Sequence, residues 1–391
     1  MWQGATPPEL DSFLRLGAVN GEKIKSTGDC SQSLGFHPQS SSSNVISSNA
    51  IVRSYEDRFQ LAWDEYVYRH PAASVFHLTA WKRVIEKAFK FEPRYLFVEE
   101  QGNIRGVLPL FMVSSVLFGR SLISTPIAVY GGVCSDNEQV SEQLRRAACV
   151  MAERERVQYL ELREQFPVTA SGFRAKELYV TFDLELPRTA EQLLGGFPRD
   201  TRYMIRKGQK NGLRSVVDNQ QLDAFYEIYS RSFSHLGTPV FAKRLFRVVL
   251  DEFAGQCELT TIWGGQKALA AVLSFRFRDG VFPYFGGSLV EGRPLAANNF
   301  MYYEVMRRAL EAGGRFFDFG RSKLGSGSYS FKTQWNMRER SLPYQFFLVR
   351  RKSVPNFSPA NPKFNLAIAL WKALPLPVTK ILGPAMVRVF P

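Results

Sequence analysis

ELTTIWGGQKALAAVLSFRFRDG, residues 258–280, carries two β-rich apolar runs on either side of Gly264-Gly265, the pattern of two strands joined at a glycine turn. PYFGGSL (283–289) follows as a strand ending on an aromatic residue and two glycines, then NNFMYYEVMRRALEAGG (298–314) as a helix. FFDFGRS (316–322) closes the series as a strand with an acid, Asp318, in its middle. The same order stands earlier: YLFVEEQGNIRGVLPLFMVSS (95–115) with its turn at Gly102, VYGGVCS (129–135), QVSEQLRRAACVMAERERV (139–157), and YLELRE (159–164) with Glu161. The two copies are offset by roughly 155 to 163 residues. This order predicts an α/β chain of two tandem halves, each a mixed twisted sheet flanked by helices.

Working outward, the 391 residues divide into a disordered, serine-rich arm over 1–50, halves over 51–190 and 191–350, and a basic amphipathic tail over 351–391. Cys30, Cys134, Cys149 and Cys257 form no CxxC pair and no histidine cluster accompanies them, so neither a disulfide framework nor a metal site is expected. The N-terminus lacks the apolar run of a secretory signal, which points to a cytoplasmic body. Residues 106–135 carry one charge, Arg120, yet Pro109, Gly119, Pro126 and Gly131-Gly132 cut them into pieces too short to cross a bilayer, so buried strands are expected.

Charge is focused. Residues 199–214 hold six basic side chains against Asp200 and residues 338–391 hold nine against Glu339, which together supply all but one of the net charge of +14. An anionic partner, or a pair of solvated faces, follows. FPRDTRYMIRKGQKNGL (197–213) reads as a short helix capped by Asp200 and stopped at Gly212. Arg202, Arg206 and Lys210 then share one face at i, i+4, i+8, which invites an anion opposite them. The tail interleaves apolar residues with Lys372, Lys380 and Arg388, a composition suited to an anionic membrane surface. Nothing reads as a module for sequence-specific DNA binding.

With the repeat, three pieces carry a resemblance: 197–213, GGRFFDFGRS (313–322) and GSYSFKTQWN (327–336). Over about residues 51–391 the chain resembles the Fem-like branch of the GNAT acyltransferase superfamily, in particular the FemAB-related proteins associated with PEP-CTERM/exosortase systems. The resemblance implies an acyl- or aminoacyl-transferase acting on an amine, with acyl-CoA or aminoacyl-tRNA as co-substrate and no tightly bound cofactor. It implies a setting in exopolysaccharide or envelope construction or exosortase protein sorting, in the cytoplasm or peripherally on the inner membrane. In Fem-type enzymes a Phe-Lys pair carries a reacting lysine, and Phe331-Lys332 matches it. An inert GNAT-like scaffold that binds a membrane-associated glycan or protein assembly is the alternative.

The remaining candidates come from the residues themselves. Asp318 is either a catalytic carboxylate or one half of a buried ion pair with Arg321. The loop over Gly325 to Tyr329, with Ser328, offers backbone N–H groups to a ligand, followed by Phe331, Lys332 and Trp335. Where GNAT enzymes have a glycine-rich pyrophosphate loop, this chain has Arg293-Pro-Leu-Ala-Ala-Asn, and Asn298 and Asn299 there either attract phosphate at a helix N-terminus or cap it. His77 and His235 are candidate general bases. Tyr130 and Tyr284, each before a glycine pair, line a cleft or pack as core aromatics.

Overall fold

Gly102 (φ +79) and Gly265 (φ +59) both turn the chain in the left-handed region, which glycine enters without a Cβ penalty. Each closes an antiparallel hairpin, Leu96–Glu100 with Asn103–Leu108 and Cys257–Gly264 with Lys267–Phe277. The structure, a computed structural model, describes residues 50–115, 118–168, 170–355 and 365–389. Apart from Ala50, the expected serine-rich arm lies outside the described residues.

In the second half Gly280–Ser288 pairs antiparallel with Lys267–Phe277 and, after the helix Ala297–Glu311, runs parallel to Phe316–Asp318. In the first half Gly119–Ile123 takes the matching place, and after the helix Glu138–Arg154 it runs parallel to Tyr159–Leu162. The order of parts is therefore repeated in three dimensions, with two departures: the first-half hairpin lies in a sheet of its own, and the aromatic-Gly-Gly segment is displaced. Val129-Tyr130-Gly131-Gly132 is not a strand end but part of an irregular segment after Ile123. Its backbone is gathered by neighbours: Gly131 and Gly132 N–H groups donate to the Arg163 carbonyl, and Thr125 Oγ1 donates to the Tyr130 carbonyl. A Cβ on Gly132 would stand 2.1 Å from Glu164 Oε2, so only glycine permits that approach.

Residues 106–135 do form short buried strands. Pro109, which has no N–H to give, breaks the run: Asn103–Leu108 stays with Leu96–Glu100, while Phe111–Ser115 joins Gly119–Ile123 in the other sheet. No described helix is long and apolar enough to cross a membrane.

The halves exchange strands. Arg174–Glu185, after the first repeat copy, pairs with Phe316–Asp318 and Arg338–Leu348 of the second, and Arg338–Leu348 in turn pairs with Tyr159–Leu162 of the first. One sheet thus runs through both halves. Aromatic packing reinforces the joint: Phe76 and Trp81 of the first half meet Tyr284 and Phe275 of the second, with Phe76 and Tyr284 centroids 4.8 Å apart. Burial of such rings contributes about 1.5–3 kcal/mol each. The tail helices Asn365–Ala373 and Leu376–Val389 contact the helix Leu222–Leu236.

Candidate active site

Gly280–Ser288 and Phe316–Asp318 are in register only at Gly280↔Phe316 and Val281↔Phe317; beyond that they part, leaving a wedge in the sheet. The helix Leu222–Leu236 lies so close to one arm of the wedge that a Cβ on Gly287 would stand 2.9 Å from Ser232 Cβ. Past Ser288 the chain turns through Ala296, which takes the left-handed conformation (φ +60) that glycine would favour, and enters the helix Ala297–Glu311. Ala296 at the N-cap has no side chain that could accept there, and among the described residues no side chain caps the helix, so neither Asn298 nor Asn299 serves as a cap and its first N–H groups stay available to an anion. A cleft of about 740 Å³ opens there, lined by Arg231, His235, Arg293, Asn298, Asn299, Ser328 and Lys332 among others. Among the described residues Glu291 is the one acid on its wall, and it is held by Arg231 at 3.0 Å and Lys267 at 3.1 Å.

Lys332 is buried on the cleft wall. Its Nζ donates to the carbonyls of Phe319 (2.6 Å), Gly320 (2.7 Å) and Arg321 (3.3 Å), which follow the strand Phe316–Asp318. Burial pulls its pKa down to about 7; Asp318 opposes the shift and Arg321 adds to it. Asp318 sits behind, accepting from Tyr130 Oη (2.6 Å), Thr181 Oγ1 (2.9 Å) and the Gly320 N–H (2.7 Å). Burial raises its pKa, against those hydrogen bonds. Tyr130 and Thr181 precede the second repeat copy, so elements from both parts of the chain hold this carboxyl.

Residues 197–333 match the acetyltransferase (GNAT) domain family. Among solved structures the chain is similar to FemX, with 16% identity over 81% of this chain and 100% of that one and a TM-score of 0.63. It is also similar to the C-terminal domain of an Agrobacterium fabrum protein designated a lysylphosphatidylglycerol synthetase (15% identity, 74% and 92% covered, TM-score 0.50). A Bacteroides thetaiotaomicron protein of unknown function is similar too (7% identity, 75% and 98% covered, TM-score 0.51). No curated protein matches the chain by sequence. The fold is a tandem GNAT fold.

Within the tandem GNAT fold, several sequence expectations change. Arg321 does not pair with Asp318: Gly320 (φ +71) turns the chain between them, and the Arg321 guanidinium lies 4.4 Å from the Tyr179 ring and donates to Tyr344 Oη at 3.2 Å. His77 is buried, with Nδ1 accepting from the Ser74 N–H (3.1 Å) and Nε2 donating to the Gly132 carbonyl (3.1 Å). Burial holds its pKa near 4 and the ring is neutral, a brace for the Gly132 segment rather than a base facing the cleft. Tyr284 donates to the Ile127 carbonyl at 2.6 Å and packs in the core, as does Tyr130. The expected loop at Gly325 to Tyr329 is in part a helix, Gly327–Thr333, with Ser326 accepting from the Tyr329 N–H; Gly325 stays off the cleft wall. Trp335 is buried among Phe197, Phe319 and Phe331, away from the wall.

The basic helix forms as Arg199–Lys210, but Pro198 rather than Asp200 holds the N-cap position. Its buried face is Thr201, Ile205 and Gly208, packed on the helix Ala297–Glu311. Arg202 caps the preceding helix through the Phe197 carbonyl (2.6 Å), while Arg206 and Lys210 are exposed; none of the three lines the cleft. Among the described residues the cations that do are Arg231, Arg293, Lys332 and Lys372. Arg231 was missed, although it stands four residues before His235 and so shares its helix face, a spacing visible in the sequence.

Proposed function

We propose that the protein transfers an acyl or aminoacyl group from an anionic, phosphate-bearing donor to an amine. The observation that carries this reading is the cationic cleft where an uncapped helix N-terminus meets the parted strands. The phosphates of acyl-CoA, or of an aminoacyl-tRNA end, fit the free N–H groups of the helix beside Arg293 and Arg231, and the acyl carbonyl reaches toward Lys332. The amine nitrogen bonds to the carbonyl carbon, the C–S or C–O bond breaks, and the proton lost by the amine goes to the departing sulfur or oxygen. Lys332, poised near neutrality, relays that proton or hydrogen-bonds the developing oxyanion by exchanging one of its carbonyl acceptors for the substrate. The resemblance to exosortase-associated FemAB proteins supports an acceptor belonging to an exported polysaccharide, envelope component or sorted protein.

Arg293→Ala is expected to raise the donor KM about tenfold with kcat little changed, the loss of one charge-assisted hydrogen bond. Steady-state kinetics with acyl-CoA and aminoacyl-tRNA offered separately checks this. A wild-type protein that turns over neither donor would sink the reading. The inert-scaffold alternative would then lead, favoured by the three backbone carbonyls that already occupy the Lys332 ammonium.

A further inference from the structure

The helix Leu376–Val389 is apolar on two faces. Its inner stripe, Thr379, Gly383 and Val387 at intervals of four, turns toward the body: a Cβ on Gly383 would stand 2.5 Å from the Val240 carbonyl oxygen, and Val387 packs on the core. The outer stripe is Pro377, Ile381, Ala385 and Arg388, all exposed. A helix lying on a water-facing surface places polar residues there. Here Ile381 is 75% and Leu382 45% exposed. The preceding helix repeats the arrangement, burying Trp371 and turning Leu370 outward at 61%, and Leu236, at the end of the helix beneath, is 60% exposed. Residues 364–391 contain no acid; Lys372 and Arg388 stand exposed among the apolar side chains, Arg388 also donating to the Ala88 carbonyl at 3.4 Å, while Lys380 is tied to Glu227.

Exposed aliphatics interleaved with cations on helices too short to span match the headgroup and acyl boundary of an anionic bilayer. We infer that the two tail helices dock flat on an anionic lipid surface, with Leu370, Ile381 and Leu382 inserted and Lys372 and Arg388 at the headgroups. Leu236, Lys372 and Leu376 also line the cleft described above, so docking sets the mouth of that cleft at the headgroup layer. An amphiphilic substrate then reaches the cleft without leaving the membrane. Nucleic acid would answer the cations but not the aliphatic side chains, and a second copy of the chain would answer the aliphatics but repel the cations.

The test uses the full-length protein and vesicles of phosphatidylcholine with or without 30 mol% phosphatidylglycerol, read by co-sedimentation. Wild type is expected to bind the anionic vesicles and to bind neutral ones at least tenfold less. Ile381→Glu with Leu382→Glu, both on the exposed face and therefore neutral to folding, should lower binding to anionic vesicles at least tenfold with an unchanged melting temperature. Arg388→Gln should weaken binding and flatten its salt dependence. Wild-type protein left in the supernatant, or a double variant that sediments like wild type, would overturn the inference. So would a wild-type dimer that the double variant splits, or poly(U) binding that replaces vesicle binding. The readout is lipid binding rather than turnover, so failure here leaves the transfer reading standing, and failure of that reading leaves docking standing.

Discussion

Lys332→Ala is expected to lose about a hundredfold to a thousandfold in turnover, the usual loss when one preorganised donor to a developing oxyanion is removed. Some loss of stability accompanies it, because the carbonyls of Phe319, Gly320 and Arg321 all accept from Nζ and the side chain is buried. Leaving a buried acceptor unsatisfied costs about 1–3 kcal/mol. Lys323→Ala, beside the same strand end but off the cleft wall, is expected to change turnover little. Kinetics under conditions where both variants are fully folded by circular dichroism separates the effects. Normal turnover by Lys332→Ala would remove the lysine from the chemistry and leave it as a brace for the strand end. A pH–rate profile adds a readout that a brace would not move: an inflection near pH 7, matching the depressed lysine, is expected in wild type and absent from the variant.

Two buried groups on either side of Gly132 are expected to give single variants opposite pH dependences that nearly cancel in the wild type. His77 is held down to about 4 by burial from an ordinary 6.5, so between those values the unfolded chain takes a proton that the native chain refuses. Its contribution is fully present above pH 6.5 and is lost as pH falls toward 4. Glu164 is pushed up to about 7 from 4.5 by burial, against the pull of Arg145, so the native chain keeps a proton that the unfolded chain has released. Its contribution is fully present below pH 4.5 and is lost as pH rises toward 7. Each shift is worth about 3 kcal/mol at 1.36 kcal/mol per unit. Glu164→Gln should leave the histidine alone, so that stability climbs from pH 4 to 6.5; His77→Asn should leave the carboxyl alone, so that stability falls from pH 4.5 to 7. Urea unfolding across that range decides it, and parallel curves for the two variants would rule the pairing out.

The hairpins at Gly102 and Gly265, the helices that follow them and the acids Glu161 and Asp318 were legible because each depends on residues near one another in the chain. Asn298, Asn299, Ser328 and Lys332 reach the cleft wall for the same reason, since their segments flank the helix entry and the parted strand. What the sequence hid were contacts made across the two halves. Nothing near Asp318 announces that Tyr130 and Thr181 would satisfy it, so the adjacent Arg321 looked like its partner. Nothing in Val129 to Gly132 says that Arg163 and His77 would pull that segment out of the sheet. The basic helix was read correctly as a helix, but which of its faces meets Ala297–Glu311 is decided by Ile205 and Gly208, and that turned Arg206 and Lys210 away from the cleft.

The exchanged strands also govern how the chain is made. During synthesis the first half emerges with Tyr159–Leu162 and Arg174–Glu185 lacking the strand that lies between them, and that strand, Arg338–Leu348, leaves the ribosome more than a hundred and fifty residues later. Until then two unpaired edges face the solvent, open to pairing with any other nascent chain. A ribosome that stalls before Arg338 therefore releases a sticky fragment rather than a folded half. Completion of the shared sheet, and with it of both halves, waits for Arg338–Leu348.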